Sequence, residues 1–406
     1  MDRRRFLATL AAPLGLAGCD FSLSDGVFNA CATILPERLR THPLVTAAWR
    51  GLDPANVLDM HCHVFGNGDS GSGLWFNPAL ERVWPLQGYL QRLFYLNASC
   101  THEAPGKVDQ SVVDRLLNQC EAMPRGFRVL LYAFDWARDE SGQTDRERST
   151  FHVPDEYCAM LAAAHPQHFA WAASIHPYDP AALDRLTAAA ARGARAVKWL
   201  PTAQGIDPAS PACDRFYARL AELRLPLVTH AGDERAVRGF GEALGNPLRL
   251  RRPLDAGVRV VVAHCASLGS GRDIDRGESG PMRPNFELFA RLMDDPRYSR
   301  NVTGDISAVT QGNRADVVAT LLSRRDWHER LLNGSDYPLP GVLPIVSLPL
   351  LVQRGLLDPA AAEPLKELRD HNVLLFDFVL KRSLVNNGAG FARPVFETRA
   401  YFEKAA

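Results

Sequence analysis

Val57-Leu58-Asp59-Met60-His61-Cys62-His63 is the stretch on which the fold turns. It begins apolar and β-branched, and it ends with two histidines two residues apart. Side chains two apart on a strand share a face. Strict alternation therefore sends Asp59, His61 and His63 one way, and Leu58, Met60 and Cys62 the other. Two imidazoles spaced about 7 Å along one strand face can converge on a single ion. A lone histidine would read as a hydrogen-bonded core residue; a pair at this spacing, at a strand end, reads as a ligand pair.

The same grammar repeats outward from that stretch. Short apolar runs with β-branched residues lie at 57–63, 127–134, 169–176, 194–201, 225–231, 259–265, 301–307 and 330–336. Helical periodicity fills the intervals, most clearly at 108–121, 155–164, 180–191, 211–223, 286–294 and 315–324. Alternating strands and helices imply a parallel sheet, because each parallel return needs a crossover. Eight such units predict an α/β fold, a (β/α)8 TIM barrel over residues 57–382. An open doubly wound sheet competes, but its usual Gly-rich phosphate turn after the first strand is missing.

The first connection, 66–126, is by far the longest. It opens with Gly66-Asn67-Gly68-Asp69-Ser70-Gly71-Ser72-Gly73 and continues through Trp75, Phe76, Trp84, Tyr89, Phe94 and Tyr95. It reads as an insertion, either a mobile loop leading to an aromatic lid or a small packed subdomain. Residues 20–56 read as a tether and N-terminal extension, and 383–406 as a C-terminal tail.

Other predicted strands also end on polar residues. His230 closes the fifth, His264 the sixth and Asp336 the eighth. Polar groups buried at the ends of apolar runs are costly unless paired or bound to metal. Barrel enzymes place their chemistry on the C-terminal face of the strands. Weaker candidates to touch substrate are His176, which could equally cap a turn; Gln204, just past the fourth strand; and Asp305, which faces the pocket or supports a ligand. Lys198 lies within the fourth strand.

Asp59-Met60-His61-Cys62-His63, His230, His264 and Gly334-Ser335-Asp336-Tyr337-Pro338 resemble the amidohydrolase superfamily, in particular amidohydrolase family 2. The likeness runs over roughly 55–382 and includes His371-Asn372-Val373-Leu374-Leu375-Phe376, similar to that branch's closing helix. The resemblance implies His61, His63, His230 and Asp336 as metal ligands. It makes His264 either a ligand to a second metal or the histidine that activates water. Lys198 would be a carbamylated bridge between two metals or a free amine holding a substrate carboxylate; a lysine reaching out between helices is the plain alternative.

Imidazole and carboxylate donors suit a divalent metal, zinc before manganese or iron, as one ion or two. Such an ion lowers the pKa of a bound water towards ~7, and Asp336 is a carboxylate able to accept its proton. The expected function is hydrolysis of a small organic amide, lactone or other carboxylic ester, with Asp336, His264 and Lys198 as the catalytic set. Non-oxidative decarboxylation with the same ligands is the competing enzyme function. A binding lipoprotein without activity is the reading from another class.

The N-terminus reads as an address rather than as fold. Arg3-Arg4-Arg5-Phe6-Leu7 resembles a twin-arginine export signal, and Leu16-Ala17-Gly18-Cys19 resembles a bacterial lipobox. Residues 1–19 thus predict export, lipidation of Cys19, and residence on the periplasmic side of the inner membrane, with Asp20 as a retention residue. Lysine plus arginine equals aspartate plus glutamate at 46 each, which gives no reason to expect nucleic acid. The expected partners are a small-molecule substrate and a membrane reached only through the lipid anchor; a homodimer is left open. Seven cysteines remain of the eight once Cys19 is set aside. Their spacing specifies no disulfide pair, and no C-x-x-C suggests a structural zinc.

Overall fold

The computed structural model describes residues 29–403 apart from 85, 102–103, 235–236, 238, 278 and 343–344. The expected signal and Cys19 lie outside the described residues. Eight parallel strands form where the apolar runs are, shorter than the runs themselves. They are β1 (Leu58–His63), β2 (Arg128–Tyr132), β3 (Phe169–Ala172), β4 (Val197–Trp199), β5 (Leu227–His230), β6 (Val260–Ala263), β7 (Val302–Asp305) and β8 (Leu331–Leu332). Helices Val108–Glu121, Asp155–Ala164, Ala182–Ala191, Asp214–Glu222 and Asn285–Asp294 connect them.

The strands pair in chain order, β1 to β3 in one sheet and β4 to β8 in another. Single parallel bridges, Ala173–Val197 and Cys62–Tyr337, join the sheets at both edges. Backbone bonds accompany them: Lys198 N–H donates to Ala173 at 2.7 Å, His63 N–H to Tyr337 at 2.9 Å and Asp336 N–H to His61 at 2.8 Å. Leu58, Met60, Leu130, Ala172, Val228, Val261 and Leu332 pack as one apolar cluster across these strands. A larger cluster, with Cys62, Val129, Trp199, Leu220 and Phe289, fills the space between strands and helices.

These clusters correct the strict alternation expected of the first strand. Leu58 and Met60 belong to the inner cluster, whereas Cys62 belongs to the outer one. The pairing of β1 with β2 shifts register between Asp59 and Cys62. Such a bulge flips the side-chain alternation. His61 and His63 thus share the face that Leu58 and Met60 occupy below the bulge. Asp59 instead accepts backbone N–H bonds from Ser335 at 2.8 Å and His61 at 3.1 Å. It stitches β1 to β8 rather than joining the histidines.

The long insertion is packed, and part of it also lines the cavity described below. Its glycine-rich opening wraps the buried Asp109 carboxylate, which accepts from Asn67 N–H (2.9 Å), Ser70 Oγ (2.7 Å) and Ser72 Oγ (2.7 Å). Gly66 is required there, since a Cβ would stand 2.1 Å from the Asp109 carboxylate oxygen. Asp69 in turn accepts from Val108 and Asp109 N–H, which caps helix Val108–Glu121. Trp75–Phe76 pairs with Phe151–His152, and helix Leu86–Ala98 follows.

Both chain ends pack on this body. Cys31 and Cys100 form a disulfide that ties the N-terminal extension to the end of helix Leu86–Ala98; the spacing of the cysteines did not reveal this pair. Trp49 stacks on Phe378 with ring centroids 4.1 Å apart. The described part of residues 383–406, read as a C-terminal tail, also packs: the Thr398 hydroxyl donates to the Leu58 carbonyl, and Phe402 joins the inner cluster. No helix among the described residues is long and apolar enough to cross a membrane.

Candidate metal centre

Polar side chains gather at the C-terminal ends of the strands. His63 Nε2 lies 3.2 Å and His61 Nε2 3.4 Å from the same Asp336 oxygen. A tetrahedral zinc with bonds near 2.05 Å spaces its ligand atoms roughly 3.3 Å apart, so these donors are set as a zinc-sized ion needs them. Local geometry makes the approach. Asp336 adopts a left-handed φ of 61°, an uncommon backbone state for a residue other than glycine. Gly334 brings β8 close to β1, where a Cβ would lie 2.6 Å from the Cβ of His61.

His61 Nδ1 donates to Asp305 Oδ2 at 2.6 Å, so Nε2 presents its lone pair towards Asp336. Ser307 Oγ lies 3.0 Å from His61 Nδ1 and 2.8 Å from His264 Nδ1. His61, His264 and Asp305 therefore form a second compact trio, but hydrogen bonds already bind its members. This is the carboxylate–histidine pattern that orients a metal-ligating ring. Asp305 supports His61 and does not line the cavity.

Burial, followed by the Lys198 charge, keeps His61 well below the ordinary histidine pKa. Burial, followed by Arg314, does the same for His264 and lowers His230 to about 3. Neutral imidazoles offer lone pairs to a cation. Burial opposes ionisation of Asp336, yet His61, His63 and Lys198 outweigh it and hold the carboxyl below its usual value.

His230 lines the same cavity but stands outside both trios. Its Nε2 is 3.2 Å from the Asp233 carbonyl, and its buried Nδ1 makes no hydrogen bond among the described residues and faces Glu234 Oε2 at 3.4 Å. A buried ring nitrogen aimed at a carboxylate suits a cation between them.

Lys198 is fully buried. Its Nζ lies 3.3 Å from His61 Nε2 and 4.9 Å from the Tyr132 ring centroid. Burial lowers its pKa to about 8, against the pull of Asp305, Asp336 and Glu234. The reading of this lysine as one reaching out between helices is thereby corrected.

His176 and Gln204 are also placed elsewhere than a pocket wall. His176 Nε2 bonds the Gln204 carbonyl at 2.9 Å, and its backbone N–H donates to Asp135. Gln204 accepts from Leu200 N–H and donates to the Asp135 carbonyl and Ser174 Oγ. Both belong to a buried polar network in which Arg185 binds Asp135, Asp155 and Asp179.

The donors open into a cavity of about 450 Å³. Phe65, Phe76, Phe94, Tyr95, Phe134 and Phe151 line much of it, with Glu234 and Arg314 as charged residues that sequence reasoning missed. Glu234 follows His230 by one helical spacing and was the more readable of the two. Arg314 sits in the loop after β7, where no pattern marks it.

Clustered imidazoles and a carboxylate at the ends of parallel strands define a metal-site α/β enzyme class. The family model described as amidohydrolase matches residues 58–370, and the chain belongs to that family. Comparison with curated proteins gives no match. Similar solved structures include an uncharacterized TIM-barrel protein from Bordetella bronchiseptica (16% identity, 76% of this chain and 94% of that one, TM-score 0.47). Others are a probable 2-pyrone-4,6-dicarboxylic acid hydrolase from Acinetobacter baumannii (14%, 82% and 97%, 0.41), and a 5-carboxyvanillate decarboxylase from Sphingomonas paucimobilis (15%, 77% and 98%, 0.38).

Proposed function

We propose that the chain is a metal-dependent hydrolase that cleaves an amide, a lactone or another carboxylic ester in a small organic molecule. The observation that carries this reading is Asp336, a carboxylate with one oxygen within 3.4 Å of two imidazole nitrogens at the wall of a largely apolar cavity. His61, His63 and Asp336 would hold the ion, with His230 on the same cavity wall but outside this trio. Zinc suits these donors best. When bound, the ion supplies Lewis-acid polarisation and makes water acidic enough to react near neutral pH.

The chain's own groups supply the rest. Asp336 can accept a proton from water and return it to the leaving group. His264 commits its Nδ1 proton to Ser307, so its Nε2 accepts a hydrogen bond from water and orients it. The Lys198 ammonium stays unmodified in this reading, with one ion bound. A carbamate there would add a fourth negative charge beside Asp305, Asp336 and Glu234.

A free Lys198 also suits the second reading, decarboxylation, in which an ammonium would steady a substrate carboxylate. Metal analysis with a screen of lactones, amides and aromatic acids separates the two. Ring-opened or hydrolysed acid supports hydrolysis, whereas released carbon dioxide supports decarboxylation.

The two edge bridges between the sheets support a closed (β/α)8 barrel. Residues 1–19 would export the chain, with the lipid on Cys19 holding it at the periplasmic face of the inner membrane. The Cys31–Cys100 disulfide fits an oxidising compartment.

A further inference from the structure

The two residues before Asp336 are each held by a different element. The Gly334 carbonyl accepts from Lys381 Nζ at 2.6 Å, and Ser335 N–H donates to Asp59 Oδ1 at 2.8 Å. The same Asp59 oxygen accepts from His61 N–H at 3.1 Å. Asp59 thus ties the segment to β1, whereas Lys381 reaches it from helix Val373–Ser383. Asp336 follows at once with its left-handed φ of 61°. A residue other than glycine persists in that state only where its surroundings over-determine it.

Lys381 is fully buried, and its ammonium also donates to Asp377 Oδ2 at 2.7 Å, one helical turn earlier. A buried ion pair is weak evidence for stability, because apolar side chains of similar volume often fill the same space as well. What this pair does in particular is fix one backbone carbonyl. That carbonyl belongs to the residue whose missing side chain lets β8 approach His61. Among the described residues the cavity lining includes Asp336 but not Lys381, so the lysine acts on the site through the backbone.

We propose that Lys381 is a positioning residue of the metal centre. Its bond to the Gly334 carbonyl sets the backbone of Asp336, and so keeps that carboxylate beside the ring nitrogens of His61 and His63. This rests on the metal centre of the hydrolase proposed above. The role needs no contact with ion or substrate.

Replacing the buried pair by apolar residues, Lys381→Met with Asp377→Val, separates positioning from stability in the full chain. Zinc affinity is measured by competition with a chromophoric chelator, ligand geometry by the visible absorption of bound cobalt(II), and stability by urea unfolding. The expected result is a urea midpoint close to that of the wild type, zinc binding weaker by at least about tenfold, and shifted cobalt bands. A folded double variant with wild-type affinity and wild-type bands would overturn the proposal. Where that variant fails to fold, Lys381→Gln takes its place, since its shorter amide keeps one donor. A smaller loss of zinc affinity is expected there, and no loss would overturn the proposal. A wild type that takes up neither ion would refute the metal centre itself, and the positioning role with it.

Discussion

His61 donates its Nδ1 proton to the Asp305 carboxylate over 2.6 Å, and that bond selects Nε2 as the nitrogen facing Asp336. Asp305 therefore acts on the metal centre through the ring it orients. Partners of this kind typically govern metal affinity by 10–100-fold. Asp305→Asn is expected to weaken metal binding by about that factor, read by competition with a chromophoric chelator. Unchanged affinity would remove Asp305 from the support of the site.

The proposed reading leaves the Lys198 amine unmodified and holds one ion. With the amine free, Lys198→Met keeps the metal content of the wild type, about one ion per chain, and bicarbonate changes neither metal content nor rate. Elemental analysis showing two ions in the wild type and fewer in the variant would instead establish a bridging carbamate.

His176 provides a pH signature remote from the metal donors. Burial, the largest influence, lowers its pKa to about 4 from 6.5. Below pH 6.5 the unfolded chain takes up the proton that the folded chain refuses, so acid favours unfolding. The contribution is complete above pH 6.5 and is lost as pH falls to about 4. His176→Gln does not titrate, so its stability deficit should shrink between pH 7.5 and 4, by roughly 3 kcal/mol at most. Urea unfolding of both proteins across this range is the check; a constant deficit would assign His176 an ordinary pKa.

Much of this was legible because strands and ligands announce themselves chemically. His61, His63, His264 and Asp336 stood out as polar residues ending apolar runs, and the structure brings them to one region. At His176 the signal left two roles open, and the structure takes the turn cap: Tyr178 N–H donates to its Nδ1 at 3.2 Å, while its Nε2 joins the buried network around Arg185. Two-residue alternation failed at the β1 bulge, since the inserted residue has no signature in LDMHCH. Glu234 and Arg314 were not legible, as loop charges become site charges only once the loops fold over the strand ends. Residues 383–406 read as a tail because Thr398 and Phe402 contribute single contacts rather than a periodic face.

The Cys31–Cys100 disulfide closes a segment with a sequence separation of 69 and anchors helix Leu86–Ala98, which presents Leu90 and Phe94 to the cavity. Removing it by Cys31→Ser with Cys100→Ser is expected to cost about 2–4 kcal/mol and to raise KM more than it lowers kcat. Dithiothreitol should bring the wild-type urea midpoint to that of the variant. A reductant-insensitive wild type would show that the bond contributes nothing to stability.

The most direct test is metal content measured together with turnover, on the wild type, His61→Ala and Asp336→Asn, with circular dichroism to confirm that each remains folded. The expected result is about one divalent ion per wild-type chain, with metal and activity lost together in both variants and restored to chelator-stripped wild type by zinc. Full activity in the metal-free wild-type chain would contradict the assignment of His61, His63 and Asp336 as a catalytic metal centre.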